Sequence, residues 1–225
     1  MSKKKCVVLL SGGLDSATVA AFAKSRGFDI YALTFEYGQR HEIEILYAKK
    51  IAHYLNVNAH EIVHLPDDIF KISSLVLSSG KEIPIAHGSA IPSTYVPARN
   101  IIFLSIALAY AETVEASHIF TGVNAVDYSG YPDCRPQFIE AFQKMVMVGT
   151  KSGVEGNPII IEAPLINMTK AEIIALGTSL RVDYSLTSSC YNPSPEGKPC
   201  GMCDSCMLRK KGFAQAGYED PALQR

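Results

Sequence analysis

Apolar residues along this chain of 225 residues form short runs that alternate with longer segments of helical periodicity. Residues 6–10 are a continuous run of Cys, Val and Leu, which is typical of a strand buried on both faces of a parallel sheet. Further strands are predicted at residues 30–35, 61–65, 118–123 and 159–162. Because helical segments separate these runs, the pattern predicts a parallel sheet with helices on both faces and right-handed crossovers.

Several of the predicted helices have recognisable ends. Gly27 closes the first helix, and Thr169 with Glu172 forms a capping box that opens the last one. Asn100 is expected to cap a strongly apolar helix. Residues 66–98 fit no regular element and are expected to form a loop region at the active site. The predicted helices cover residues 17–25, 41–55, 100–114, 138–148 and 169–177.

Composition limits the classes of function. The chain is 48% hydrophobic and has a formal net charge of −1, so no overall electrostatic attraction draws it to nucleic acid. No segment reaches the length of a membrane-spanning helix, and the apolar run at residues 6–10 is too short for a secretory signal. We therefore expect a cytoplasmic protein with no direct nucleic-acid or membrane partner. Its length suits one large domain, residues 1–180, and a small C-terminal lobe, residues 181–225.

Four cysteines define that C-terminal lobe: Cys190, Cys200, Cys203 and Cys206. Two overlapping C-x-x-C turns, with a fourth thiolate across a loop rich in Pro and Gly, can chelate one ion in tetrahedral geometry. Thiolates select zinc or an iron–sulfur cluster, and a closed set of four favours one structural Zn²⁺. Two disulfides are the alternative, but nothing else in the chain indicates the oxidising compartment that they require.

The sequence SGGLDS at residues 11–16 stands between the first strand and the first helix. Glycines let the backbone approach an anion closely, and successive N–H groups at a helix N-terminus attract phosphate. Ser11 and Ser16 add hydroxyl donors, while Asp15 fits a Mg²⁺ contact or a group that holds the loop together. The chain lacks G-x-x-x-x-G-K-[ST], so this is not a Walker loop.

This hexapeptide resembles the pyrophosphate loop of the PP-loop ATP pyrophosphatase superfamily, the adenine nucleotide α-hydrolases. The resemblance implies a Rossmann-like five-stranded α/β fold. ATP with Mg²⁺ would be the co-substrate, a substrate oxygen would attack the α-phosphate, and pyrophosphate would leave. It also implies that the nucleotide binds at the ends of the first two strands, to Leu9, Leu10, Ser11, Gly12, Gly13, Leu14, Asp15, Ser16, Leu33, Thr34 and Phe35.

Further motifs narrow the resemblance. FEYGQRH at 35–41, YVPARN at 95–100, GVNAVDYSGYPDCR at 122–135 and the cysteine segment resemble, in this order, the QueC family of queuosine biosynthesis. The resemblance covers residues 9–213 and implies a carbon–nitrogen ligase. It would adenylate 7-carboxy-7-deazaguanine, let ammonia displace AMP, and use a second ATP to dehydrate the amide to 7-cyano-7-deazaguanine. Free ammonia is the expected nitrogen source, since no glutaminase domain is visible.

Candidate catalytic residues are Asp15, Arg99 and Lys170. The Arg99 guanidinium offers bidentate donors to a phosphate or a substrate carboxylate, with a surface ion pair as the alternative. Lys170 lies in the first turn of a capped helix, where a cation opposes the dipole, so we expect a phosphate partner; a solvated lysine is the alternative. Carboxylates and tyrosines suit a flat, guanine-like ligand. The candidate substrate contacts are Arg99, Asp127, Tyr128, Tyr131, Asp133 and Arg135.

Three other functions remain open from the sequence. A tRNA-modifying adenylating enzyme of the same superfamily, of thiolase or lysidine synthetase type, would use the cysteines for an iron–sulfur cluster or for sulfur delivery. A zinc-ribbon module that binds nucleic acid would leave residues 11–16 unexplained, and a plain ATP pyrophosphatase would need no acceptor. The apolar stretch 101–109 could pack in the core or form the seam of a homodimer.

Overall fold

The computed structural model describes residues 3–39, 43–82, 91–126 and 131–224. At its centre is a sheet of five strands in the order β3-β2-β1-β4-β5, and every neighbouring pair is parallel. The predicted parallel sheet is therefore confirmed. Its strands are β1 (Lys5–Leu9), β2 (Asp29–Glu36), β3 (Ala59–His64), β4 (His118–Phe120) and β5 (Ile160–Glu162).

Helices cover both faces of this sheet, as expected. None of the described helices combines the length and the hydropathy that crossing a bilayer requires. Within the region predicted to be irregular, two short 3₁₀ turns form at Asp67–Phe70 and Leu77–Ser79. The α-helices are α1 (Leu14–Ser25), α2 (Ile43–Tyr54), α3 (Arg99–Thr113), α4 (Pro136–Gly149), α5 (Lys151–Val154), α6 (Lys170–Ser179) and α7 (Asp204–Ala216).

The central strand β1 divides the hydrophobic core into two halves. Cys6 and Val8 pack among residues of α1, α2 and α6, while Val7 and Leu9 pack among residues of α3 and α4. Successive side chains of a strand point to opposite faces, so a strand between two helical layers must be apolar at every position. The uninterrupted apolar run in the sequence meets that requirement.

The residues after α6 join the first of these two cores. Tyr184 and Phe213 belong to the same buried cluster as Cys6, and their rings meet edge to face with centroids 5.5 Å apart. Helix α7 crosses α6 at Gly212, where an added Cβ would lie 2.9 Å from the Cβ of Lys170. The domain boundary predicted between residues 180 and 181 stays a prediction, and a shared core joins the two sides of it.

A buried ion pair fixes α7 in place. Arg209 is 6% exposed, and its Nε and Nη2 donate to the two carboxylate oxygens of Asp220 at 2.7 and 2.8 Å. Its Nη1 donates to the Thr187 hydroxyl at 2.8 Å, and its Nη2 also donates to the Tyr184 carbonyl at 3.1 Å. Arg209 therefore ties three segments of the C-terminal region to one another.

Two helix ends bear on the predictions. The capping box of Thr169 and Glu172 is present at the start of α6, as predicted. The prediction that Asn100 caps α3 is wrong, because the left-handed residue Ala98 precedes the helix and Asn100 lies in its first turn. The N–H of Asn100 instead donates to the Asp133 carboxylate at 3.0 Å, so a distant side chain provides the cap.

We expect the substitution Asp220→Ala to lower the free energy of unfolding by about 3–5 kcal/mol, because it leaves the Arg209 charge buried without its partner. Urea unfolding followed by circular dichroism measures this change. Glu219→Ala removes an exposed carboxylate one residue away and should stay within about 0.5 kcal/mol of the parent. A loss no larger than that of an exposed pair, about 1 kcal/mol or less, would contradict the role given to Arg209.

Candidate active site

A cavity opens at the carboxyl ends of β1 and β4. The chain leaves β1 toward β2 on one side, whereas β4 lies on the other side, so this edge is the topological switch point of the sheet. The end of β1, the loop at residues 11–16, the segment after β4 and the start of α3 all line the cavity. Ligands of open parallel sheets bind at this place, which makes the cavity the candidate active site.

Hydrogen bonds hold the predicted phosphate loop in shape. The Ser16 hydroxyl accepts the N–H of Ser11 at 3.2 Å and donates to the Gly13 carbonyl at 3.1 Å. The N–H of Gly13 donates to the Ser11 hydroxyl at 3.3 Å. Helix α1 begins directly afterwards at Leu14, and its N-terminus adds partial positive charge beside the cavity. The loop is thus arranged to receive an anion.

Gly12 brings this loop into contact with α2. Its φ of 84° is a conformation that glycine adopts freely, and an added Cβ would overlap the Glu44 carbonyl oxygen and lie 2.8 Å from the Ala48 nitrogen. The Gly12 carbonyl also accepts the N–H of Ser188 at 2.9 Å. The loop is therefore held between the first turns of α2 and the segment that precedes the cysteines.

Lys170 reaches the phosphate loop from α6. Its Nζ donates to both carboxylate oxygens of Asp15, at 2.7 and 2.9 Å, and its side chain is only 9% exposed. The capping box orients this first turn, since the Glu172 carboxylate accepts the N–H of Thr169 at 2.7 Å. The pKa of Glu172 is lowered by the same hydrogen bonds. Lys170 and Asp15, two of the three candidate catalytic residues, thus lie in direct contact.

Most of the predicted nucleotide-binding residues line the cavity. Thr34 is not among the lining residues. Its hydroxyl donates to the Leu10 carbonyl at 2.5 Å and lies 2.7 Å from His60 Nε2. Phe35 stacks on Phe103 of α3, with ring centroids 3.9 Å apart. Contact with a nucleotide stays a prediction for each of them. The lining residues are Leu9, Leu10, Ser11, Gly13, Leu14, Asp15, Ser16, Leu33 and Phe35.

Arg99 begins α3 at the cavity wall. The preceding residue, Ala98, has φ 52° and ψ 21°, a left-handed conformation that costs roughly 1–2 kcal/mol outside glycine. Backbone strain of this kind persists where the surrounding structure positions a functional group. Arg99 Nη1 donates to the hydroxyl of Tyr37, the residue that follows β2, at 3.4 Å. The predicted role of Arg99 stays a prediction, and its position suits an anionic ligand.

The loop predicted to contact the substrate is described only in part. Asp127 and Tyr128 lie outside the described residues. Tyr131 lines the cavity, is 6% exposed, and has its hydroxyl 2.6 Å from the Thr94 hydroxyl. Its ring therefore forms a fixed wall of the cavity, as a flat ligand would require.

The remaining candidates of this loop have other surroundings. Asp133 is buried against the start of α3, where its carboxylate accepts the Asn100 N–H, and Arg135 is exposed at the N-terminus of α4. Substrate contact by either one stays a prediction. Cys134 lines the cavity, and burial raises the pKa of its thiol to about 11, which disfavours a nucleophilic thiolate.

Several lining residues were not among the site candidates named from the sequence: Glu44, Phe103, Asn124, Ser188, Ser189, Tyr191, Leu208 and Arg209. Glu44 is notable, because removal from bulk water raises the pKa of its carboxyl to about 8 despite the opposing charge of Arg99. Glu44 lies three residues after the FEYGQRH motif at 35–41. Its closeness to that motif is the sequence signal that points to it.

The four C-terminal cysteines come together as predicted. Their sulfur atoms all lie within 4.8 Å of one another, and a tetrahedral zinc site with bonds of about 2.3 Å needs sulfurs about 3.8 Å apart. The cluster thus fits one metal ion. It sits at the N-terminus of α7, which Cys203 precedes and which Cys206 enters. The ligand set consists of Cys190, Cys200, Cys203 and Cys206.

Backbone N–H groups surround the sulfur atoms of this cluster. Cys190 Sγ accepts the N–H groups of Asn192 at 3.3 Å and of Cys200 at 3.1 Å. Cys203 Sγ accepts the N–H of Tyr191 at 3.4 Å. Donors of this kind stabilise thiolates, the form in which cysteine binds metal.

Comparison with known proteins gives one family. The sequence model described as "Queuosine biosynthesis protein QueC" matches residues 5–217. A protein of Desulfatibacillum aliphaticivorans named 7-cyano-7-deazaguanine synthase is 56% identical over 227 residues, which cover 98% of this chain and 97% of that protein. A protein of the same name from Coxiella burnetii is 56% identical over 220 residues, with 97% and 96% covered.

Solved structures show the same fold at low sequence identity. A 4-thiouridine synthetase, solved with RNA and bound ATP, is 19% identical with a TM-score of 0.51 over 94% of this chain and 53% of that one. The NMN synthetase of Francisella tularensis is 18% identical with a TM-score of 0.50, covering 99% of this chain and 82% of that one.

Replacing Cys203 with Ser is expected to remove the metal ion and to lower the melting temperature, because three thiolates leave the tetrahedral site open. Metal content by inductively coupled plasma mass spectrometry and thermal unfolding measure the two effects. Cys134→Ser, outside the cluster, is the matched control and should keep one ion per chain. Full metal content in Cys203→Ser would refute the ligand set.

Proposed function

The chain belongs to the QueC family of queuosine biosynthesis proteins, and on this premise we propose that it is an ATP-dependent carbon–nitrogen ligase. It converts 7-carboxy-7-deazaguanine and ammonia to 7-cyano-7-deazaguanine and releases AMP and diphosphate. Beyond family membership, one observation carries the proposal. A single cavity joins the loop at residues 11–16, at the switch point, to Arg99 and to the aromatic residues Phe35, Phe103 and Tyr131.

Adenylation of the substrate carboxylate is the first step. ATP enters as its magnesium complex, and the loop at residues 11–16 with the N-terminus of α1 holds its β- and γ-phosphates as the leaving group. The substrate carboxylate attacks the α-phosphate and pyrophosphate departs. The protein contributes positioning and charge stabilisation, which preorganised N–H donors supply without reorganisation.

Lys170 is the cation of this step. Its ammonium already lies over the loop, held by the two oxygens of Asp15, and its stem is enclosed by Gly212 of α7. Incoming phosphates offer the same ammonium more negative charge than one carboxylate does. Lys170 therefore neutralises the charge that builds on the leaving pyrophosphate, while Asp15 keeps the ammonium in place before ATP arrives.

The second part of the cavity suits the deazaguanine. Tyr131 provides a fixed aromatic wall, and Arg99 provides the donors that a carboxylate prefers. Apolar side chains of Leu9, Leu33 and Phe35 close the adenine side. An enclosure of this kind favours the second round, in which an adenylated amide loses AMP to become a nitrile rather than taking up water.

The four cysteines would hold one Zn²⁺ with a structural role. A closed set of four thiolates leaves no open position for substrate, and the thiolate donors with their N–H partners fit zinc. When bound, the ion supplies folding free energy to the lobe that carries α7. Its effect on the reaction passes through the position of α7, which touches Lys170 at Gly212.

Partners and location follow from the same reasoning. The substrates are small molecules, the near-zero net charge of −1 gives no general attraction to nucleic acid, and a cytoplasmic location suits reduced thiolates. Free ammonia is the nitrogen donor. The exposed position of Ile101 at the start of α3 leaves a homodimer compatible with the fold.

The proposal is tested in one reaction. Purified protein with Mg-ATP, ammonium and 7-carboxy-7-deazaguanine is expected to yield the nitrile by mass spectrometry, with two AMP per nitrile by chromatography. Omission of ammonium should stop the reaction at the acyl adenylate. AMP formed without any deazaguanine product would overturn the substrate assignment and keep the adenylating loop.

Lys170→Ala is expected to lower the rate of substrate-dependent ATP–pyrophosphate exchange by about 10²- to 10³-fold, since it removes a preorganised charge and leaves Asp15 facing the phosphates. The isotope-exchange assay reports this half-reaction without ammonia. Lys151→Ala removes an exposed lysine of α5 and should leave the exchange rate unchanged. Equal rates in both variants would exclude Lys170 from the phosphate site.

A further inference from the structure

Five charged side chains line the described part of the cavity, and three of them are held in ion pairs. Lys170 is paired with Asp15, and Arg209 is paired with Asp220 behind the wall. Glu44 and Arg99 make up the rest. The Lys170–Asp15 pair belongs to the phosphate loop, and the Arg209–Asp220 pair fixes α7. Glu44 is therefore the carboxylate of the described cavity wall that neither ion pair includes.

Glu44 is fixed beside the phosphate loop. It lies in the first turn of α2, and its carbonyl oxygen is so close to Gly12 that no side chain fits between them. Its side chain belongs to the cavity wall together with Tyr37 and Arg99. If the loop holds the pyrophosphate, the α-phosphate and the substrate carboxyl that attacks it lie next to the loop. Glu44 is therefore close to the carboxyl carbon that later receives the nitrogen.

The surroundings of Glu44 suit proton transfer. The ionisable groups that act on it are the Arg99 guanidinium from α3 and the Tyr37 phenol that follows β2. Removal from bulk water raises the pKa of the Glu44 carboxyl to about 8, and the charge of Arg99 opposes the rise. A carboxyl with a pKa near neutrality accepts and returns protons at the operating pH, as an acid–base catalyst must.

The proposed reaction requires such a group. When ammonia attacks the acyl adenylate, a C–N bond forms, the C–O bond to AMP breaks, and the nitrogen must lose one proton to become a neutral amide. When the adenylated amide gives the nitrile, the C–O bond to the second AMP breaks and the nitrogen loses its remaining two protons. Both oxygens of the Asp15 carboxylate already accept from the Lys170 ammonium, so Asp15 is poorly placed to take these protons.

We propose that Glu44 is the general base that removes protons from the nitrogen in the amide- and nitrile-forming steps. The inference rests on the proposed function and adds a catalytic residue to it. In amide formation the Glu44 carboxylate takes the one proton that nitrogen loses and releases it to water. In nitrile formation it takes the two remaining protons one after the other, and it releases the first to water before it accepts the second as AMP leaves. Adenylation of the carboxylate, the first step, transfers no proton from nitrogen and does not need Glu44.

Glu44→Gln tests this division between the steps. The amide keeps the size and the hydrogen-bonding capacity of the side chain but cannot take up a proton. We expect substrate-dependent ATP–pyrophosphate exchange to stay within a few-fold of the parent, whereas amide and nitrile formation from ammonia falls by about 10²- to 10⁴-fold. Glu44→Asp, which keeps a carboxylate, should recover part of the loss.

Two further readouts separate a base from a structural group. At constant free ammonia, the parent rate of amide formation should rise with pH up to about 8, because the carboxyl must be ionised to act, and the Glu44→Gln profile should lose this limb. Hydroxylamine is a less basic nucleophile whose nitrogen gives its proton to water more readily. It should therefore form the hydroxamate in Glu44→Gln at nearly the parent rate.

The outcomes distinguish the inference from the proposed function. If the parent makes nitrile and Glu44→Gln makes it equally fast, Glu44 is not the base although the function stands. If Glu44→Gln loses pyrophosphate exchange as severely as nitrile formation, its role is in nucleotide binding or folding, and the inference is overturned. If the parent itself shows neither exchange nor nitrile with this substrate, the proposed function fails first.

Discussion

The contact between Lys170 and Asp15 is the interaction on which the site depends. It joins the first turn of α6 to the phosphate loop, and both charges are mostly withdrawn from water. A lysine so placed needs an enclosure for its stem, and α7 supplies it only because residue 212 is glycine. The position of one ammonium group thus requires the loop, two helices and the buried Arg209 pair that holds the second helix down.

Charges in and around the cavity fall into two kinds. Those that build the structure are matched with a partner at hydrogen-bond distance, as Arg209 is with Asp220, because a buried charge without a partner is costly. Arg99 and Glu44 line the cavity, where the proposed ligands bind, and Lys170 belongs to both kinds, since it is paired with Asp15 and lies beside the proposed phosphate site. Their electrostatic cost is offset when a ligand or a proton arrives, which is why such groups collect at functional sites.

Short-range patterns in the sequence predicted most of the fold and the two anchors of the site. The apolar run of β1, the capping box at Thr169 and the C-x-x-C spacing are local signals, and each is present in the structure. What could not be predicted depends on long-range contacts. Helix α7 is polar and contains Gly212, so only its packing reveals it as a helix.

The same limit applies to single residues. Asn100 resembled a cap, but a carboxylate more than thirty positions away caps its own N–H. Glu44 and Phe103 become cavity residues only once α2 and α3 are laid beside the sheet. Helix α7 carries a further consequence, because it contains Cys206, directly follows Cys203, and encloses Lys170 at its middle. For the proposed metal and nucleotide, thermodynamic linkage then requires a reciprocal effect: by whatever factor a bound ion raised the affinity for ATP, bound ATP would raise the affinity for the ion.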